Sequence, residues 1–319
     1  MKKIHRGENT LQDGQMDTSS KVADYWDDHS TETFKGETYW LANPIINRRY
    51  QSKSAGNRNY SSWVDFTVQH YLNERCPVER VLSIGSGDGT LEQHLASLNT
   101  AKLIDGIDIA PKRVQIARDE AARHGLQDTI YYTVCNVEEN AFPNSSYDAI
   151  YFNSSLHHMS DLNGILGKCS KALKAEGYLF INEYIGPNRF AFSDREKQAM
   201  DSVFQMIPER FRVSHAEQDR GQIRKQLGFP DPADVARIDP SEAIHSEEIR
   251  EAVQHHFKIV EFNFAGGTLM QFLLEGIAGN FKESDAESLE VLDLIFRIED
   301  TLVEIGDLTP HFAMIVATI

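Results

Sequence analysis

The chain has 319 residues, with 32 lysines and arginines against 48 aspartates and glutamates, which gives a net charge of −16 at pH 7. This charge argues against a non-specific nucleic-acid binder, because such a protein needs a basic surface against the phosphates. A hydrophobic share of 41% is ordinary for a globular protein with a core. No apolar run reaches the about 18 residues of a membrane span. We therefore expect neither nucleic-acid nor membrane partners.

The first residues and the cysteines indicate where the protein works. Residues 1–20 are polar and lack the apolar stretch of a signal peptide. The three cysteines, Cys76, Cys135 and Cys169, are far apart and show no CxxC spacing. That distribution fits a reduced compartment better than a disulfide framework or a zinc site. We expect a cytoplasmic protein with all three cysteines buried as small apolar residues.

Short β-branched runs alternate with amphipathic stretches over residues 80–184, which is the pattern of βαβ units around a parallel sheet. Strands are predicted at 80–84, 102–108, 129–135, 147–153, 177–183, 257–264 and 311–318, and helices near 88–99, 111–124 and 160–174. The pattern predicts an α/β, Rossmann-like fold. It has a seven-stranded, mostly parallel sheet with helices on both faces and an added helical cap.

Four segments are expected along the chain. They are an N-terminal helical cap at 1–77, the core at 78–187, a helical lid insertion at 188–256, and closing strands and helices at 257–319. Inside the insertion, Asp239-Pro240-Ser241-Glu242 has the residues of a helix start, and Ser246 before two glutamates suggests another. The amphipathic helix near 284–305 reads as a core or dimer helix, which leaves a homodimer open.

A glycine-rich turn follows the first core strand. Gly85, Gly87 and Gly89 let the backbone turn sharply and approach a ligand, with the N–H groups of the next helix facing it. A dinucleotide fingerprint would need its last glycine where Thr90 stands, so pyrophosphate binding is the weaker interpretation. Asp108, at the carboxyl end of the second strand, can accept both hydroxyls of a ribose.

With this turn and this acid, residues 78–187 resemble the class I S-adenosylmethionine-dependent methyltransferases, and 257–319 resemble them through two extra closing strands. The resemblance implies S-adenosyl-L-methionine as cofactor. It implies a binding site formed by Gly85, Ser86, Gly87, Gly89, Asp108, Ile109, Asn136, Val137 and Asn153. Two positions depart from the family pattern: Ser83 stands where an acid is common, and Asn136 where an aspartate is usual, although its carbonyl can accept the same hydrogen bond.

Candidates for chemistry follow the fourth and fifth strands, where ligands bind in open α/β sheets. His157 or His158 could take a proton from the methyl acceptor, and such a base adds about 10²–10⁴-fold to a rate. Glu183 and Tyr184 are further candidates. The alternatives are that the histidines only fix their loop, and that Glu183 and Tyr184 bond to the cap. Adjacent histidines rarely point both rings at one ion, so no metal site is expected.

A basic stretch lies within the acidic chain. Residues 41–64 contain Arg48, Arg49, Lys53 and Arg58 and no acid, and a second cluster spans 210–225. One hypothesis is that Arg48, Arg49 and Arg58 hold an anionic acceptor. The alternative is that they pair with surface acids. The aromatic N-terminal segment around Tyr25-Trp26 either covers the cofactor or packs as an ordinary cap.

Taken together, these patterns predict a methyltransferase that acts on a small-molecule or sugar acceptor, with oxygen favoured as the methylated atom. N- or C-methylation of a small metabolite stays an alternative. So do an NAD-dependent oxidoreductase on a similar nucleotide-binding fold and a non-catalytic scaffold that retains the fold.

Overall fold

The computed structural model describes residues 18–28 and 36–319. Within these residues one sheet has the strand order β3-β2-β1-β4-β5-β7-β6. The strands are β1 (Val78–Ile84), β2 (Ala101–Asp108), β3 (Ile130–Val134), β4 (Tyr147–Asn153), β5 (Leu173–Tyr184), β6 (Lys258–Phe264) and β7 (Phe312–Thr318). Strand β7 is antiparallel to both β5 and β6, and the other pairings are parallel. The predicted seven-stranded, mostly parallel sheet is confirmed.

Helices cover both faces of this sheet. They are α1 (Thr18–Asp28), α2 (Pro44–Ser54), α3 (Trp63–Phe66), α4 (Thr90–Ser97), α5 (Pro111–Arg123), α6 (Leu162–Ala172), α7 (Asp194–Met206), α8 (Pro232–Ile238), α9 (Ile249–His256), α10 (Met270–Leu274) and α11 (Ala286–Glu304). One buried layer includes side chains of α3, α4 and α5, and another includes those of α6 and α9. Burial on both faces is what a parallel sheet requires, and it explains why the central strands are nearly continuous apolar runs.

A third apolar cluster lies outside the sheet and joins the insertion to the chain ends. It contains Trp40, Phe204 and Phe211 together with Leu273 and Phe281, all nearly inaccessible to solvent. The rings of Phe211 and Phe281 stack with their centroids 4.7 Å apart. The helical cap is therefore attached to the core by a hydrophobic cluster of its own.

The insertion differs from its predicted form at Asp239. No helix begins there, because the carboxylate of Asp239 instead accepts hydrogen bonds from the Ser241 N–H, at 2.8 Å, and from its hydroxyl. The guanidinium of Arg189 also occupies the carbonyl oxygens of Asp239, Pro240 and Glu242, which a helix would need for its own bonds. Further on, a 3₁₀ turn at Ser246–Glu248 precedes α9, near the second predicted start.

The cysteines and the helices can be compared with the expectation of a cytoplasmic protein that has three buried cysteines and no membrane span. All three cysteines are free, but only Cys169 is buried, whereas Cys76 and Cys135 are half-buried. The expectation of three buried cysteines was therefore wrong for two of them. Among the described helices, none combines the length and the apolar character needed to cross a bilayer.

Candidate functional site

A cavity of about 450 Å³ lies at the carboxyl ends of β1 and β4. Strand order reverses between these two strands, and such switch points are where α/β sheets bind ligands. Eight of the nine predicted cofactor residues line the cavity: Gly85, Ser86, Gly87, Asp108, Ile109, Asn136, Val137 and Asn153. The ninth, Gly89, does not. It caps α4 with φ +85°, and a side chain there would collide with Tyr132, so it serves the turn and its packing.

The glycine turn is hydrogen-bonded directly to Asp108, the acid predicted to hold the ribose. Gly85 has φ +74°, and a side chain at this position would collide with Ser155 of the loop after β4. The Gly87 N–H donates to Asp108 Oδ2 at 2.8 Å, and the Ala110 N–H donates to Oδ1 at 2.9 Å. Burial raises the pKa of Asp108, and these N–H groups act in the opposite direction. The carboxylate is thus fixed at the edge of the cavity.

The polar groups of this wall fit the cofactor that the resemblance implies. The Ser86 hydroxyl is buried in the cavity wall and has no hydrogen-bond partner among the residues that the structure describes. A buried hydroxyl of this kind calls for a ligand atom or a water. The side-chain oxygen of Asn136 accepts from the Glu138 N–H at 3.0 Å and retains a second lone pair. Asp108, Ser86 and Asn136 can therefore hold a nucleoside.

His158 lies in the wall of the same cavity. Its Nδ1 is 3.1 Å from the Ser241 hydroxyl oxygen, and that hydroxyl donates its own hydrogen to Asp239 Oδ1 at 2.6 Å. We therefore assign the proton of His158 to Nδ1, which leaves Nε2 as a proton acceptor. Burial lowers the pKa of His158 well below its ordinary value, and the neighbouring charge on His157 lowers it further. His158 is accordingly neutral at neutral pH.

His157 is buried behind His158 and does not line the cavity. Its Nδ1 contacts Glu183 in a short hydrogen bond, and its Nε2 is 3.5 Å from Glu242 Oε1. Burial opposes a charge here, but the Glu183 carboxylate, with help from Glu242 and Asp239, raises the pKa of His157 to about 9. His157 is thus a buried cation between two acids, which does not suit it to accept a proton.

Glu183 organises the loop that carries both histidines. Its Oε2 accepts from the N–H groups of Ser155, at 2.9 Å, and Leu156, at 2.7 Å, while Oε1 accepts from the Tyr184 N–H and contacts His157. The residue is completely buried at the end of β5. Its role is to position the loop, since it does not line the cavity.

The two adjacent histidines do come together, contrary to expectation. A 3₁₀ turn places their ring centroids 4.0 Å apart, and with Glu242 they offer three ligand atoms within 4.8 Å of one another. Two imidazoles and a carboxylate could hold Zn²⁺. However, a protonated His157 has no free lone pair, and a proton already neutralises part of the surrounding charge. The expected absence of a metal stays a prediction.

Tyr184 points away from the cavity. Its hydroxyl donates to the Pro187 carbonyl at 3.1 Å, and its ring packs edge-on against Phe312. Of the four residues considered for proton transfer, the structure therefore places only His158 in the cavity wall. Tyr184 bonds instead to Pro187, the residue before the insertion.

The arginines considered for acceptor binding form ion pairs with acidic side chains outside the cavity. Arg48 pairs with Glu283 at 2.6 Å, and Arg58 pairs with Glu261 at 2.5 Å. Arg49 contacts Asp300 at 2.7 Å and donates to the Phe296 carbonyl of α11. Arg49 thus joins α2 to the acidic helix α11, whereas Arg48 and Arg58 pair with acids of other segments, and none of these arginines lines the cavity. Their assignment to substrate binding was wrong because each arginine pairs with an acid far away in the chain, Glu283, Asp300 or Glu261, and the sequence does not reveal these contacts.

Helix α1 covers the cavity, with Ser19, Val22 and Trp26 among its lining residues. The Trp26 carbonyl accepts from Arg113 Nε at 2.9 Å, and Asn136 Nδ2 is 3.3 Å from the Ser19 hydroxyl. The Trp26 ring meets His158 edge-on, with centroids 5.0 Å apart. Of the two interpretations of the aromatic N-terminal segment, the placement favours a cover over the cofactor site.

Sequence reasoning missed the partners of His158. Ser241 and Asp239 lie more than eighty positions along the chain from it and were interpreted as part of a helix start. Pro240, Ser241 and Ile244 also close one side of the cavity. The one available signal was the cluster of turn-forming residues at 239–242, which marks an Asx turn as well as a helix cap.

Known proteins show the same domain. Residues 82–181 match the family model described as a methyltransferase domain. The demethylmenaquinone methyltransferase of Tropheryma whipplei is 34% identical over 112 residues, which cover 35% of this chain and 44% of that protein. The ubiquinone biosynthesis O-methyltransferase of Xanthomonas oryzae pv. oryzae is 35% identical over 106 residues, 32% of this chain and 42% of that protein. The chain thus covers less than half the length of these relatives.

Solved structures share the fold over nearly the whole chain. The geranyl diphosphate C-methyltransferase of Streptomyces coelicolor A3(2) covers 95% of this chain and 98% of its own, with a TM-score of 0.55 and 11% identity. At that identity the likeness concerns the fold alone. The sheet order is that of the class I methyltransferase fold. Residues 82–181 form a methyltransferase domain of the S-adenosylmethionine-dependent type.

Replacing Arg49 tests the contact between α2 and α11. Arg49→Ala is expected to lower the free energy of unfolding by about 1–3 kcal/mol, because Asp300 and the Phe296 carbonyl lose a charged donor. Arg48→Ala, at a pair that is exposed on both sides, should change it by less than about 0.5 kcal/mol. Urea unfolding measures both, and cofactor affinity should be unchanged in either variant. A loss of cofactor affinity in Arg49→Ala alone would indicate that Arg49 does belong to the binding site.

Replacing Glu183 tests the loop support. Glu183→Gln should lower the free energy of unfolding by about 3–5 kcal/mol, because His157 loses its counter-ion. The pKa of His157 is raised from 6.5 to about 9, so this stabilisation is complete below pH 6.5 and is lost as pH rises through 9. Unfolding at a series of pH values measures it, with Glu176→Gln at an exposed position of β5 as control. The assignment fails if the difference between wild type and Glu183→Gln does not shrink above pH 9.

Proposed function

We propose that this protein transfers a methyl group from S-adenosylmethionine to a hydroxyl oxygen of a small, largely apolar acceptor. One observation carries the proposal: a neutral histidine, His158, stands in the wall of the same cavity as the glycine turn and Asp108. A cofactor site and a proton acceptor thus share one enclosed space. N-methylation of an amine is the second candidate, since a neutral His158 could also take the proton of an ammonium.

The chain's own residues have separate tasks in this reaction. Asp108 would hold the ribose hydroxyls, Asn136 the adenine amine, and the Gly85–Gly87 backbone the methionine part. When bound, the cofactor supplies an electrophilic methyl group, and the protein's contribution is alignment and exclusion of water. Helix α1 and the turn at 240–244 cover the cavity, so we propose that the N-terminal cap and the insertion at 188–256 close over the bound molecules.

His158 would take the proton of the acceptor hydroxyl at Nε2. Ser241 and Asp239 hold the opposite nitrogen and fix the ring and its tautomer. The charged His157 next to it disfavours a proton on His158 before the acceptor binds. His158 is therefore unprotonated across the neutral pH range and can accept a proton.

The remaining wall indicates what kind of acceptor enters. Trp26, Tyr39, Met159 and Ile244 contribute ring and aliphatic surface. Arg113 is the basic side chain among the described lining residues, and its Nε is engaged by the Trp26 carbonyl. We therefore replace the hypothesis of an anionic acceptor by an uncharged aromatic or aliphatic alcohol. A relative named for O-methylation in ubiquinone biosynthesis supports oxygen as the accepting atom.

A comparison of cofactors tests the proposal and its rival on a similar fold. S-adenosylmethionine and S-adenosylhomocysteine should raise the melting temperature, because they bind only the folded chain, whereas NAD should not. Label transfer from radioactive S-adenosylmethionine to fractionated phenols and alcohols then tests catalysis. Stabilisation by NAD alone would sink the proposal, and cofactor binding with no label transfer to any fraction would favour the scaffold.

Replacing His158 tests the proton acceptor. His158→Asn should lower kcat by about 10²–10⁴-fold with cofactor affinity unchanged, because only proton removal is lost. Ser241→Ala should give a smaller loss, since the ring loses a positioning partner. His256→Asn on α9 is the matched control and should behave as wild type. Because His158 is already neutral, the wild-type kcat at saturating S-adenosylmethionine should be flat between pH 6.5 and 8; a steep rise of kcat over that range would contradict the assignment.

A further inference from the structure

A buried carboxyl group beneath the cofactor site has no role in the reaction described so far. Glu92 lies on α4, the helix that follows the glycine turn, and is completely inaccessible to solvent. Neither of its oxygens makes a hydrogen bond of ordinary geometry with any residue that the structure describes. Leaving a buried carboxyl in this state costs stability, so its presence calls for an explanation.

The surroundings of Glu92 connect it to the site. The Ser83 hydroxyl of β1 lies close enough to favour the ionised form, whereas the charges of Asp108 and Asp88 oppose it. The Tyr132 hydroxyl of β3 lies on the same side and donates to the Gly89 carbonyl at 3.3 Å. The carboxyl therefore lies near Ser83 of β1 and within electrostatic reach of Asp108 and Asp88, which line the cavity, although Glu92 itself does not.

The neighbour Ser83 is the residue that departs from the family pattern. An acid is common two residues before the first glycine, at the end of the strand, and this chain has a serine there, itself buried. The glutamate that meets this serine comes from the helix on the other side of the turn. An acid missing from the strand thus has a counterpart within reach of the same position.

We propose that Glu92 supplies from α4 the negative charge that Ser83 leaves absent from β1, as a positioning residue for the cationic methionine end of S-adenosylmethionine. The inference rests on the proposed function, because it needs that cofactor to bind beside the glycine turn. The Ser83 hydroxyl can donate to Glu92. Neither side chain lines the cavity, so Glu92 acts on the cofactor through its negative charge rather than by direct contact.

The protonation state of Glu92 gives the proposal a distinctive consequence. Burial, with Asp108 and Asp88, raises the pKa of Glu92 to about 7, so in the free protein a large share of Glu92 is neutral at pH 7. Positive charge arriving in the cavity favours the ionised form, and the proton passes from the carboxyl to solvent. Cofactor binding should therefore release part of one proton, with Asp88, Asp108 and Tyr132 as the other titratable groups facing the site.

The same pKa predicts an unusual effect on stability. Because the folded-state pKa of Glu92 lies above its ordinary 4.5, the free protein loses stability as pH rises through 7. Glu92→Gln removes that loss, so the variant should melt at a higher temperature than wild type at pH 8. If Glu92 served only the fold, its replacement would lower the melting temperature. A residue that serves binding commonly lowers the stability of the free protein, and its replacement then raises the melting temperature.

Titration calorimetry with S-adenosylmethionine at pH 7, in phosphate and in imidazole buffer, measures affinity and proton release together. Glu92→Gln should bind about 10–100-fold more weakly, the range for losing a charged hydrogen-bonding group, and should lose the proton release of wild type. Glu299→Gln is the matched control. Glu299 is also a completely buried carboxylate, but it accepts N–H bonds from Gly267, Leu269 and Met270. Its variant should lose stability and keep cofactor affinity.

A second variant moves the acid instead of removing it. Ser83→Asp with Glu92→Ala places a carboxylate on the strand and should recover at least part of the affinity. Unchanged affinity and proton release in Glu92→Gln overturn the inference while the proposed function stands. Weak binding that the moved acid does not recover also overturns it, as a structural effect. If wild type itself fails to bind S-adenosylmethionine, both the inference and the proposed function are wrong.

Discussion

The buried carboxylate of Glu183 is the constraint on which the site depends. It ends β5, accepts two backbone N–H groups of the loop after β4, and balances the charge of His157. A charge at this depth is tolerable only because every lone pair has a donor. The loop that it fixes presents His158 to the cavity, and it brings Ser155 so close to Gly85 that only glycine fits there. One carboxylate thereby sets the position of His158 relative to the glycine turn.

Charged side chains surround the cavity at increasing distances from its wall. Directly behind the wall, His157 is cationic between Glu183 and Glu242, and burial together with this charge keeps the neighbouring His158 neutral. Further out, Arg189 ties down the turn at 239–242 through three carbonyl groups. Farther still, Arg49 and Lys53 of α2 meet Asp300 of α11. The net charge of −16 therefore says little about the acceptor, because the arginines near the site serve the fold.

Sequence reasoning predicted the sheet, and eight of the nine residues that it predicted for the cofactor line one cavity. These features are local: a strand, a glycine turn and an acid at the end of the next strand lie side by side in any βαβ unit, so spacing alone places Gly85, Gly87 and Asp108 together. It was wrong about Arg48, Arg49 and Arg58, and about the helix start at Asp239. In each case the deciding partner was far away in the chain, as Glu283, Asp300 and Arg189 are.

The amino-acid sequence by itself thus predicted the architecture and the loops that border the cavity, because periodicity and turn residues act over short distances, and its family resemblance predicted the class of cofactor. Only the folded chain showed which candidate faces the cavity. His157 and His158 are neighbours in sequence, yet one is buried between two acids and the other lines the site. That difference arises from Ser241 and Glu242, which the insertion returns to the sheet more than eighty residues later. Long-range contacts of this kind leave no local pattern from which they could be read.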